Sequence, residues 1–126
     1  MDFNEIIANF MDVVKNKYVQ FNGRAGRKEY WLFYLVNFAL YLLFVILTSI
    51  FGNGVLTLII SVIYTLFGLA ILLPGIAVCV RRLHDVGKGG GWAFIAFVPI
   101  VGAFILLYFM IIKGEPNPNR FGPPVE

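Results

Sequence analysis

Charge is what this sequence has least of. Of its 126 residues, 13% are Asp, Glu, Lys or Arg and 60% are hydrophobic, whereas soluble domains carry about 25% charged residues. Between Glu29 and Arg81 there is no charged residue at all. A water-soluble domain of this size cannot hold about fifty consecutive uncharged residues and still present a wettable surface. The deficit therefore excludes an aqueous globule and calls for lipid as the solvent. Cysteine is almost missing as well: Cys79 stands alone, which excludes an internal disulfide and a thiolate metal cluster and leaves the redox compartment open. His84 is the sole histidine, so a multi-histidine metal site is excluded too. A cleavable signal peptide is not expected, because the first apolar run begins near residue 30, is about twice the usual core length and lacks a small-x-small exit site.

Three long apolar runs fill the space that charge leaves empty. Trp31 to Phe51 supplies about 21 residues, roughly 31 Å of helix and enough for a hydrocarbon core; its insertion is favourable by roughly 4 to 8 kcal/mol. Gly52, Asn53 and Gly54 make a turn too short for anything but two adjacent antiparallel helices. The second run, 55–78, carries Thr57, Ser61, Thr65, Gly68 and Gly75 near one helix face, where another backbone can approach. Pro74 deletes one helical hydrogen bond there, and the freed carbonyl must find a neighbour or water. The third run, 92–112, is long enough to cross once, although Pro99 and Gly102 interrupt it and leave a re-entrant path open. Ahead of all three, residues 2–20 place Phe3, Ile7, Phe10, Val14 and Tyr18 on one side and Asp2, Glu5, Asn9, Asp12 and Asn16 on the other, the pattern of an amphipathic helix capped by Asp2. The predicted fold is all-α: a polytopic membrane protein with an N-terminal amphipathic interfacial helix, three transmembrane helices (31–51, 55–78, 92–112) and an extended tail over 113–126, in one membrane domain.

Eight of the ten Lys and Arg residues lie in the N-terminal segment and the second connector. Basic segments stay on the cytoplasmic side, so the N-terminus is expected inside and, after three crossings, the C-terminus outside.

Three polar segments carry a recognisable pattern: Phe21 to Trp31 (FNGRAGRKEYW), Arg81 to Lys88 (RRLHDVGK) and Asn119 to Pro123 (NRFGP). Together, and in this order, they resemble the domain-of-unknown-function 805 family of small bacterial inner-membrane proteins, over about residues 18 to 124. One stretch departs from the family pattern: after the His-Asp pair the family usually has glycine, a basic residue, serine, glycine and two tryptophans, whereas here Gly89, Gly90 and Gly91 precede the single Trp92. The resemblance implies a bacterial cytoplasmic membrane and a shared architecture, and it brings no assigned reaction.

The candidate chemistry lies at the inner ends of the spans. Arg24, Arg27, Arg81 and Arg82 can converge there with Glu29, His84 and Asp85, and guanidinium groups suit phosphate geometry through paired hydrogen bonds. Asn119 and Arg120 dock on the membrane surface, or join the cluster if the tail is cytoplasmic. The plainer alternative is that the arginines set topology while the two carboxylates pair with them. His84 beside Asp85 invites a catalytic reading, but adjacent residues on a helix do not face each other and no Ser or Cys nucleophile is near in sequence. No catalytic residue, cofactor or metal is therefore expected. The expectation is a noncatalytic membrane protein whose basic cytoplasmic face engages anionic lipid or an envelope partner, as a homo-oligomer or beside another membrane protein, without nucleic acid. The alternative is a small transport or channel component acting as an oligomer, in which Asn37, Thr57, Ser61 and Tyr64 line a passive path; no ionisable Asp, Glu or His lies within the runs to drive a pump.

Overall fold

A computed structural model describes residues 2–125; Glu126, the last residue of the expected tail, lies outside the described residues. The first helix, α1, spans Phe3–Lys15, five residues shorter at its end than expected. Asp2 caps it as foreseen, its carboxylate accepting the Glu5 N–H at 2.8 Å. Glu5 does not return the contact in a capping box; its carboxylate pairs with Lys28 instead. The apolar side of α1 is divided. Phe10, Val13 and Val14 pack against Phe33 and Val78 of the two following helices, with Phe10 and Phe33 stacked at 5.6 Å, while Phe3, Ile7 and Met11 remain exposed.

Two long helices form the frame. α2 covers Arg27–Phe51 and α3 covers Val55–Asp85, about 37 and 46 Å at the standard rise. Both are longer than the spans drawn from hydropathy, because their polar ends are helical too: α2 starts four residues before Trp31, and α3 runs through Arg81, Arg82 and His84 to Asp85. The turn between them depends on glycine, with Gly52 at φ 65°, a left-handed value that a side chain resists.

The third apolar run does not form one span. Gly90–Phe97 is a 3-10 helix, and after a turn at Val98, Pro99 and Ile100 the chain reverses into α4, Val101–Ile111. Proline explains the break: Pro99 has no N–H to continue a helix and pushes Val98 to an extended conformation, ψ 114°. The turn meets much of its own hydrogen-bonding demand, with the N–H groups of Val98, Gly102 and Phe104 donating to the carbonyls of Ile95, Val98 and Ile100 at 3.0 to 3.2 Å. Gly102 allows the two arms to close, since a Cβ there would strike the Ile95 carbonyl. Both ends of this hairpin lie beside the end of α3. Gly90 sits against Val80, the Trp31 indole N–H donates to the Met110 carbonyl at 2.9 Å, and the Glu115 N–H donates to the Asp85 carbonyl at 2.8 Å. Where the expected three-span course puts the tail at the opposite end, the tail here returns to the end where α3 finishes.

The core is confined to that end. One cluster comprises Val13, Ala25, Phe33 and Val78, another Leu83, Phe109 and Met110, and Tyr30 touches both. No residue from 34 to 73 is buried. Over that stretch α2 and α3 meet through contacts such as the Phe44 and Tyr64 rings, stacked at 4.4 Å.

Pro74 sits inside α3, so the carbonyl four residues earlier, Ala70, loses its helical donor. The Tyr18 hydroxyl, just past α1, donates to it at 2.6 Å. A buried or lipid-facing carbonyl left unpaired costs about 1 to 3 kcal/mol. Tyr18→Phe should therefore lower the thermal midpoint of the detergent-solubilised protein, and Pro74→Ala, which restores a helical N–H, should make the same change nearly neutral. Thermal unfolding of the two single variants and the double variant measures this coupling.

Candidate functional site

The polar segments meet where α2 begins and α3 ends. The connector before α2 is anchored by the Ala25 N–H, which donates to the Arg81 carbonyl at 2.9 Å. The last turn of α3 is buried throughout: Arg81, Arg82, Leu83, His84 and Asp85 are each 7% exposed or less. Charges so deeply buried persist only when paired and hydrogen-bonded.

Asp85 is the centre. Arg24 Nε donates to its Oδ1 at 2.9 Å and Arg82 Nη1 to its Oδ2 at 2.7 Å. Arg24 also donates through Nη1 to the carbonyls of Asn117 at 3.1 Å and Gly122 at 3.2 Å, and through Nη2 to the carbonyls of Asp85 and Glu115. These contacts engage all five N–H groups that a guanidinium owns. Arg82 reaches the other side of the hairpin, donating to the Ile112 carbonyl. Gly114 makes room for the carboxylate, since a Cβ at that position would meet all three Asp85 carboxyl atoms.

Arg81 forms a second pair with Glu29 and donates through Nε to the Gln20 carbonyl at 3.1 Å; its Nη2 is buried without an acceptor among the described residues. Lys17 joins Glu29 at 3.3 Å and Asp12 at 3.2 Å, tying the end of α1 to the cluster. A hydrogen bond from Asn16, with Lys17 adding to it, holds the Asp12 carboxyl below its ordinary value.

His84 and Asp85 face different partners, as their adjacency on a helix requires. The His84 Nδ1–H donates to the Gly23 carbonyl, 2.9 Å away, because a carbonyl only accepts. The imidazole lies flat on the Phe121 ring at 3.8 Å and 2°. Asn119 bridges the tail to α3, its amide donating to the His84 carbonyl at 3.1 Å and to Glu115 at 2.8 Å. All three sequence motifs therefore meet, which follows from the return of the tail.

Arg120 and Arg27 are placed differently. Arg27 opens α2 and is half-buried. Arg120 is exposed, its guanidinium 4.7 Å from the centre of the Phe121 ring, and among the described residues no carboxylate pairs with it. It lines an open cleft of about 530 Å³ together with Gly89, Gly91, Trp92 and Ile95. Lys88 lies 5.4 Å from the Trp92 ring and 5.7 Å from the Phe109 ring. Trp92 and Ile95 lie three residues apart and so share one face of the 3-10 helix.

Sequence reasoning missed Gln20, Gly114, Glu115 and Phe121. Three of them contribute backbone groups or the absence of a side chain, which leave no mark in a motif of charged residues. Removing the charge at the centre strands two buried guanidiniums, at a cost of about 3 to 5 kcal/mol. Asp85→Asn should accordingly lower the thermal midpoint in detergent strongly, and Gly114→Ala should act in the same direction by displacing the carboxylate; thermal unfolding of both variants checks this.

The family described as a protein of unknown function, DUF805, matches residues 18–123. The inner membrane protein YhaH of Escherichia coli K12 is 39% identical over 120 residues, covering 90% of this chain and 93% of YhaH. Inner membrane protein YhaI of the same organism is 40% identical over 113 residues, covering 90% of this chain and 91% of YhaI. No solved structure matches. With two apolar helices of membrane length and relatives of this kind over nearly its whole length, the chain is an integral membrane protein that belongs to the DUF805 family.

Proposed function

We propose that this protein is a noncatalytic component of the bacterial cytoplasmic membrane that crosses twice, dips a re-entrant hairpin into the inner leaflet and holds an anionic lipid headgroup at Arg120 and Lys88. The topology draws support from the hairpin's dimensions. The 3-10 helix has 8 residues and α4 has 11, each about 16 Å long and close to half of a 30 Å hydrocarbon core. With both termini on one side, every charged residue lies there, and the far side holds only the Gly52, Asn53 and Gly54 turn. The positive-inside rule makes the charged side cytoplasmic. Phe3, Ile7 and Met11 then point an apolar edge of α1 at the headgroup boundary.

One observation carries the lipid reading: the cleft that Arg120, free of any carboxylate among the described residues, lines together with Trp92 and Ile95. A cation beside an interfacial indole with an aliphatic wall below it suits a phosphate and the start of an acyl chain. The headgroup role assigned from sequence to Arg24, Arg81 and Arg82 moves to this rim, because those three are buried and bound to carboxylates and carbonyls. The noncatalytic reading is supported by the same bonds, which hold His84 and Asp85 away from any bound molecule. Within the spans Asn37, Thr48, Ser49 and Thr65 bond carbonyls of their own helices, which favours packing over a conducting path.

Each basic residue near an anionic surface contributes about 1 kcal/mol, so two together give roughly 30-fold in affinity. Purified Lys88→Gln, Arg120→Gln protein should retain far less phosphatidylglycerol than the parent while keeping its thermal midpoint; equal retention by mass spectrometry of the bound lipid would remove the headgroup site. A compartment reporter fused to the C-terminus should register the cytoplasm, and a periplasmic signal would remove the two-crossing topology.

A further inference from the structure

The two halves of this molecule differ in width. At the end that holds the termini, α1, the 3-10 helix and α4 all pack around α2 and α3; at the other end α2 and α3 run alone, without a buried residue. The hairpin does not hide inside the fold. Its 3-10 helix has three faces: Trp92 and Ile95 toward the Arg120 cleft, Ala93 and Ala96 toward a cavity shared with Phe33, Gly75 and Cys79, and Phe94 and Phe97 outward. The outward pair is 71% and 81% exposed, and Ile100 and Phe104 at the tip are 74% and 67% exposed. A surface so apolar faces acyl chains, and only those of the leaflet it enters.

We propose that the protein is a leaflet-asymmetric wedge that gathers where the terminus-side leaflet is convex. This rests on the two-crossing topology above and is independent of the headgroup site. Each helical rod is about 10 Å across, so the two arms of the hairpin displace roughly 150 Å² of lipid from one leaflet and nothing from the other. The partner this shape fits is a bilayer bent outward on the wide side, where that leaflet has area to receive the arms. Bending the opposite way compresses the same leaflet and expels the protein.

The test uses full-length protein, fluorescently labelled and reconstituted into giant vesicles of phosphatidylcholine alone, from which membrane tubes are pulled outward. The accessibility of each terminus to external protease sorts molecules by orientation and checks the topology in the same vesicles. Molecules with both termini outside should be enriched in the tube roughly twofold, and those with both termini inside depleted by a similar factor. Equal density in both orientations, or enrichment of the opposite one, overturns the wedge while leaving the topology standing. Termini found on opposite faces overturn both. Phe94→Ala, Phe97→Ala protein, which narrows the exposed hairpin without touching the buried core, should sort more weakly. Lys88→Gln, Arg120→Gln protein should retain less phosphatidylglycerol when purified and sort like the parent in these vesicles, which separates failure of the wedge from failure of the headgroup site.

Discussion

Asp85 holds one negative charge between two guanidinium groups, and the arrangement of the polar end follows from that contact. A carboxylate 1% exposed could not remain ionised alone. Arg24 arrives from the connector before α2 and Arg82 from the turn of α3 just before Asp85 itself. Arg24 then gives three further donors to carbonyls of the tail and one to the Asp85 carbonyl, and Arg82 bonds the end of the hairpin. One buried charge thus ties together the first connector, α3, the hairpin and the tail, segments up to about a hundred residues apart in sequence. Arginine suits this work where lysine would not, because its planar fork supplies several donors in fixed directions.

The apolar part of the chain obeys a looser rule. Lipid is as good a solvent for leucine as another leucine, so α2 and α3 have little reason to bury their outer halves against each other. They do not: the buried side chains gather beside the charged network. Backbone groups are held to a stricter standard in lipid. The defect at Pro74 is met by a tyrosine hydroxyl from a distant segment, and the reversal at Pro99 closes on its own carbonyls.

The residues at the centre of this network are ill suited to meeting a ligand. Arg24 has no N–H left to offer a phosphate, and the imidazole of His84 is pinned at Nδ1 and covered by Phe121. The groups left open lie at the periphery: Arg120 at its cleft, the exposed edge of α1 and the outward face of the hairpin.

Composition and hydropathy by themselves determined that the chain lives in lipid, that α2 and α3 form an antiparallel pair, and that Pro74 leaves a carbonyl in need of a donor. Those conclusions need only local properties: transfer free energy, helix length and the missing proline N–H. The motifs placed Arg24, Arg81, Arg82, Glu29 and Asp85 at the inner ends of the spans, where they could converge. Only the tertiary structure decided that the run from 92 to 112 folds back, since length allowed a crossing and the outcome turned on Pro99, Gly102 and the pull of Arg82 and Asp85 on the chain beyond. It also decided which cations are consumed. Whether an arginine faces a phosphate or a buried carboxylate depends on which backbone carbonyls surround it, and carbonyls are the same at every position of a sequence.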